Sequence, residues 1–214
     1  MSAPRRHRLI EISRARQVPV LEDDFVGDLR YEGHGLPALK ALDARGDVIY
    51  AGTFSKLLMP GVRVGYLVAD GPVLDRLARL KHATDLSTSS LMQRTLDRYV
   101  TVGRYQTHLR RSIRTYRSRR DALIDALRTT IPSVAVVAPR GGLFAWVTLP
   151  DGARATALRE AALRRGVDLA PGTAFFAKPA EGERYVRMNF AVHDEARIGE
   201  GVQRLAAAFA DLNA

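Results

Sequence analysis

The sequence predicts an α/β fold, with a sheet whose loops carry the chemistry and a smaller α+β unit after it. Three observations predict this. Short apolar runs at Val18–Leu21, Val48–Ala51 and Val62–Val68 are separated by polar loops and helical patterns, the texture of an α/β sheet with loops at its strand ends. A long helical pattern free of Gly and Pro covers Tyr105–Thr129. Beyond Pro132 short strands alternate with two helices.

In order, Pro4–Gln17 reads as a helix with Leu9, Ile10 and Ile12 as its apolar positions, feeding the first strand, which the acidic run Glu22-Asp23-Asp24 ends. The second strand leads into the loop Gly52–Gly61 and then the third strand. Pro72–Ala83 and Ser89–Val102 read as helices. In the long helix Leu109, Ile113, Tyr116, Leu123 and Leu127 are the candidate core positions. The last stretch predicts strands at Val134–Val137, Leu143–Leu149, Val167–Ala170 and Tyr185–Phe190, with helices at Ala155–Arg165 and Asp194–Leu212. A boundary is expected inside the long helix near residue 115, giving domains 1–115 and 116–214.

Composition narrows the chemistry. Of 214 residues, 46% are hydrophobic and 26% charged, the balance of a folded chain with a sizeable core. Without cysteine there are no disulfides, zinc-thiolate sites or thiol catalysis. No apolar run approaches the ~20 residues of a membrane span. The basic start lacks the apolar stretch of a secretory signal, so a cytoplasmic protein with no membrane partner is expected. The five histidines have no metal-ligand spacing; they read as surface or capping residues, and no metal is expected. Lys+Arg number 33 against 23 Asp+Glu, a net charge of +10. Only Lys40, Lys56, Lys81 and Lys178 are lysines. A basic nucleic-acid-binding module is a distant alternative, because the seven arginines of Arg104–Arg120 are spread around their helix and read as a solvated surface.

The loop Thr53-Phe54-Ser55-Lys56, with Arg63 seven residues beyond Lys56, groups hydroxyls, a lysine and a guanidinium between two apolar strands. Hydroxyls, backbone N–H groups and arginine are what a phosphate dianion needs. A lysine beside another cation loses its proton more readily, and a neutral amine can form a Schiff base. The bland alternative is a basic surface turn. Asp23 and Asp24, at the end of the preceding strand, favour the functional reading, because ligand groups gather at the carboxyl ends of parallel strands. A carboxylate there can hold a pyridine nitrogen protonated; the bland reading of Glu22-Asp23-Asp24 is a solvated turn or a helix cap.

Five ordered blocks extend the pattern: Leu21-Glu22-Asp23-Asp24-Phe25 to Arg30-Tyr31, Leu36 to Asp43, Thr53 to Lys56 with Arg63, Gly141 to Trp146, and Arg187-Met188-Asn189-Phe190. Over essentially its whole length the chain resembles the class I/II pyridoxal-phosphate-dependent aminotransferases of fold type I. Within them it is most similar to the aminotransferase-like domains of MocR-type (GntR-family) transcriptional regulators. The resemblance implies the C-terminal part of that fold: half of the large, mostly parallel-sheet domain (1–115) and the small C-terminal α+β domain (116–214). It implies pyridoxal 5'-phosphate as cofactor, an amino acid or amine and a 2-oxo acid as substrates, and a homodimer. Lys56 would form the Schiff base and move the Cα proton, and Asp23 would pair with the pyridine nitrogen. Thr53, Ser55 and Arg63 would hold the phosphate, and Arg187 would grip the substrate carboxylate. Relatives carry a tyrosine just after the acidic cluster, where Phe25 supplies no phenol. The upstream phosphate loop and ring-stacking aromatic of relatives are not in this sequence, so a truncated form is expected, with apolar faces and a strand edge uncovered. The alternative function is an effector-sensing domain without turnover, touching DNA only through an N-terminal domain that this sequence lacks.

Overall fold

In the computed structural model, which describes residues 1–213, the chain divides into two compact units, Met1–Ser112 and Ile113–Ala214. The division falls within one long helix.

The first unit opens with α1 (Ala3–Arg16), which has a proline in its first turn and ends at Gln17 in the left-handed region. Ser13 Oγ donates to the Val18 carbonyl at 2.6 Å and turns the chain into β1 (Val20–Asp24). β1 pairs in parallel with β2 (Val48–Thr53), in the register Asp23 to Ala51 and Asp24 to Gly52. Between them lies a short helix, α2 (Leu39–Leu42), that periodicity does not reveal. β3 (Gly65–Val68) pairs antiparallel with β2, so the sheet runs β1-β2-β3 and is only partly parallel. The expected third strand is therefore shorter and reversed. Pro60 and Gly61 start a 3₁₀ turn through Val62 that brings the chain straight back along β2.

Side-chain alternation divides this sheet into two faces. Val20, Glu22, Val48 and Tyr50 face the helices, where Ile10, Leu39 and Val48 form a core joined by Leu9, Val20 and Leu42. The opposite face carries Leu21, Asp23, Ala51 and Leu67 and is open, with Leu21 64% and Leu67 50% exposed. α3 (Pro72–Asp85) buries no residue. α4 (Ser90–Thr101) is capped by Ser89, whose side chain accepts from Met92 N–H. Gly103, at φ 75°, separates it from α5 (Arg104–Thr130).

In the second unit β4 (Ala135–Val136), β5 (Phe144–Thr148), β6 (Ala170–Pro171) and β7 (Tyr185–Asn189) form an antiparallel sheet in the order β4-β5-β7-β6. The strand expected at Val167–Ala170 shrinks to two residues. Ala145, Val147 and Val186 point inward, while Phe144, Trp146, Tyr185 and Arg187 share the other face. α6 (Ala155–Arg164) packs on α7 (Glu195–Asn213), and Ala161, Ala162 and Ala208 are fully buried. The arginine run of α5 is not wholly solvated: Arg120 is 4% exposed and donates to the Pro139 carbonyl at 2.8 Å, and Arg119 donates to that of Ala191. No helix among the described residues is long and apolar enough to cross a membrane.

Candidate functional site

The acidic run lies inside β1 instead of ending it, and alternation gives its three carboxylates different environments. Glu22 accepts from the backbone N–H groups of Leu39 and Lys40 at 2.8 and 3.0 Å, capping α2. Asp24 accepts from the Tyr50 hydroxyl at 3.0 Å. Asp23 lies on the open face, and its carboxylate has no hydrogen bond or ion pair among the described residues. The helix-cap reading thus belongs to Glu22 alone.

Beyond β2 the chain makes one helical turn, closed by Leu58 N–H donating to the Phe54 carbonyl at 2.9 Å. Leu57 is buried within it and Lys56 is exposed. Thr53 Oγ1 accepts from Ser55 N–H at 3.1 Å and lies 3.5 Å from the Val64 carbonyl, so this hydroxyl shapes the loop. Arg63 follows the 3₁₀ turn at φ 49°, a left-handed conformation uncommon for a side chain that is neither Gly nor Asn. Lys40 pairs with Asp70 and Asp43, Lys81 with Asp85, and Lys178 with Glu181. Among the described residues Lys56 and Arg63 face no carboxylate.

The helix-covered face of the same sheet holds a cavity of about 260 Å³ lined by Asp24, Tyr50, Tyr66, Tyr105 and Phe54. Of the predicted site residues it reaches only Thr53. Burial first, then the carboxylates of Asp24 and Asp28, push the Tyr50 and Tyr105 hydroxyls well above the ordinary phenol range, so both stay protonated. Sequence reasoning missed this tyrosine group because its members come from β2, β3 and α5. It also missed His108, which is half-buried with Nε2 2.9 Å from the Leu57 carbonyl, not a surface residue.

In the second unit Arg187 projects from β7 between two rings, 4.2 Å from the Phe144 centroid and 4.4 Å from that of Phe175. Such stacking holds a guanidinium flat while leaving its N–H edge open. A cavity of about 310 Å³ is lined by Arg187, Phe144 and Asn189. Trp146, on the same sheet face, packs against Phe175, Phe176 and Tyr185. Gly142 sits at φ 82° in the turn before β5.

The chain is similar to known proteins in sequence and in fold. The chain is 39% identical over 207 residues to aromatic-amino-acid aminotransferase 1 of Thermococcus litoralis, covering 96% of this chain and 49% of that protein. It is 31% identical to the HTH-type transcriptional regulator TauR of Rhodobacter capsulatus, over 95% of this chain and 42% of the regulator. The structure of Pyrococcus horikoshii kynurenine aminotransferase, solved in complex with PMP, superposes with a TM-score of 0.92 at 40% identity, over 99% of this chain and 52% of the other. The chain thus spans about half the length of the relatives it matches. The family model for aminotransferase class I and II matches residues 2–205. The chain belongs to the class I and II aminotransferase family.

Proposed function

We propose that this chain carries the cofactor lysine and the substrate-binding arginine of a pyridoxal-phosphate-dependent aminotransferase, moving an amino group between an amino acid and a 2-oxo acid. One observation carries the reading. Asp23, Lys56 and Arg63, near the carboxyl ends of β1 and β2, lack partners among the described residues. Some arginines elsewhere are paired, as Arg14 is with Asp43 and Asp47 and Arg165 with Asp211, so what marks these three residues is their grouping at one end of the sheet together with their open side chains.

The donor set fits the cofactor: a carboxylate for a protonated ring nitrogen, a primary amine for the aldehyde, and a hydroxyl and guanidinium for the phosphate. When bound, the cofactor supplies an electron sink for the substrate's α-carbon. Asp23 would keep the ring nitrogen protonated. Ser55 and Arg63 would bind the phosphate, on a loop whose shape Thr53 holds. Lys56 Nζ would take and return the Cα proton. Arg187 would accept the substrate carboxylate along its open N–H edge and so orient the Cα–H bond. The first unit then serves as part of a cofactor-binding domain and the second as the small C-terminal domain. The same reading makes the protein a homodimer, which sedimentation velocity tests.

Borohydride reduction after adding pyridoxal phosphate, followed by peptide mapping, tests the assignment. The label is expected on Lys56 and not on Lys40, Lys81 or Lys178, and Lys56→Ala should abolish it. Even labelling of all four lysines would sink the proposal. The likeness to a transcriptional regulator favours a second reading, an effector-sensing domain. Turnover of an amino acid with 2-oxoglutarate supports the enzyme, and binding without turnover supports the sensor.

A further inference from the structure

A single helical turn has little stability of its own, so the position of Lys56 depends on what grips the residues beside it. Two contacts do so. The Phe54 ring packs against Tyr66 and edge-on against Tyr105, each with centroids 5.7 Å apart. On the other flank the Leu57 carbonyl meets His108 Nε2 at 2.9 Å. Leu57 is 7% exposed, and an unmatched carbonyl in such a setting is costly.

For that contact to be attractive, Nε2 must carry the proton. Ser112 Oγ, one turn further along α5, lies 3.3 Å from the same nitrogen and can share it as a second acceptor. α5 is itself anchored here, because the Tyr105 hydroxyl donates to Asp28 at 3.3 Å and Leu109 is buried. His108 therefore ties a fixed helix to the peptide immediately after Lys56–Leu57.

We infer that His108 is a positioning residue for Lys56: by donating from Nε2 to the Leu57 carbonyl it fixes the turn from which the amine is presented. The inference rests on Lys56 being the cofactor lysine, as proposed above.

The test uses the full chain and its four lysines as an internal scale. Trace acetylation with acetic anhydride and peptide mapping report the reactivity of each lysine without cofactor. Borohydride trapping of added pyridoxal phosphate reports cofactor capture at Lys56. His108→Leu, similar in size but without a donor, is expected to lower trapping at Lys56 by roughly tenfold or more. It should also shift Lys56 acetylation while leaving Lys81 and Lys178 unchanged. His108→Gln, whose amide reaches the same carbonyl, should restore trapping to within about threefold of the native protein. A folded His108→Leu protein with native trapping and acetylation at Lys56 overturns the inference, as does a His108→Gln protein no better than His108→Leu. If His108→Leu does not fold, His108→Gln and the shorter His108→Asn decide, and equal trapping by the two overturns it. If the native protein traps no cofactor at Lys56, the functional reading fails, while the acetylation pattern still decides whether His108 sets Lys56.

Discussion

Arg63 holds a left-handed backbone conformation at φ 49°, and its guanidinium has no partner among the described residues. Local strain at a charged residue with nothing to bind is a feature of functional loops. Two substitutions separate strain from charge. Arg63→Gly relieves the backbone and should leave stability unchanged or raise it by up to about 1 kcal/mol, whereas Arg63→Ala keeps the strain. Both should weaken pyridoxal phosphate binding, measured by absorbance titration beside thermal melts. Asp43 is the structural counterpart. Its side chain is fully buried and accepts from the Val48 and Arg45 N–H groups at 2.8 and 3.1 Å, with Arg14 and Lys40 each 3.6 Å away. Asp43→Ala strands these buried N–H donors, while Arg14 keeps Asp47 and Lys40 keeps Asp70, and should cost roughly 2–3 kcal/mol in urea denaturation. Lys56 is legible as a candidate because it is one of only four lysines and stands among Thr53, Ser55 and Arg63. His108 is not, because its acceptor is a main-chain carbonyl 51 residues away.

At the scale of elements, the two 3₁₀ segments Gly172–Phe175 and Pro179–Arg184 meet backbone to backbone. A Cβ on Gly172 would overlap the carbonyls of Gly182 and Tyr185, and one on Gly182 would overlap Gly172 and Thr173. Neither obstacle is a side chain that could swing away. Gly172→Ala should therefore destabilise the protein by about 2–3 kcal/mol. It should also loosen Phe175, one wall of the Arg187 sandwich. Intrinsic tryptophan fluorescence reports this, since Trp146 packs against Phe175. The strand positions of β2, β5 and β7 were readable from apolar runs, whereas β1 begins two residues later than its apolar run and takes in the acidic cluster. The reversal of β3 was not readable, because direction depends on how the 3₁₀ turn at Pro60–Val62 returns the chain, and alternation is the same in either direction.

For the whole molecule, acidic groups in both units are held below their ordinary range. Asp168 and Asp211 are lowered mainly by hydrogen bonds from Arg159 and Arg165, and Glu195 by one from Ser118. Burial raises Asp43 and Glu183, but donors outweigh it: Val48, Arg45 and Asp47 N–H groups for Asp43, and Thr156 with Arg154 for Glu183. A folded-state pKa below the unfolded value gives stability that is complete above the unfolded value and lost as pH falls through the folded one. The unfolded values are 3.8 for aspartate and 4.5 for glutamate. Melting temperature should thus be insensitive to these groups above about pH 5 and fall progressively below about pH 4. A melting temperature still unchanged at pH 3 would contradict the assigned ion pairs. With 33 basic side chains already charged, acidification also adds self-repulsion, which works in the same direction.

The family, most of the elements in their order and the candidate residues Asp23, Thr53, Ser55, Lys56, Arg63 and Arg187 are legible in the chain alone, because these depend on local spacing and residue type. Which neighbouring carboxylate is committed to capping and which is open follows from the folded sheet. Glu22, Asp23 and Asp24 are chemically alike in the chain, and pleating sends alternate side chains to opposite faces of β1. The same holds for Arg187 between Phe144 and Phe175, and for His108 behind Lys56. Each is a contact between residues far apart in sequence, and such contacts arise from packing, which no local pattern encodes.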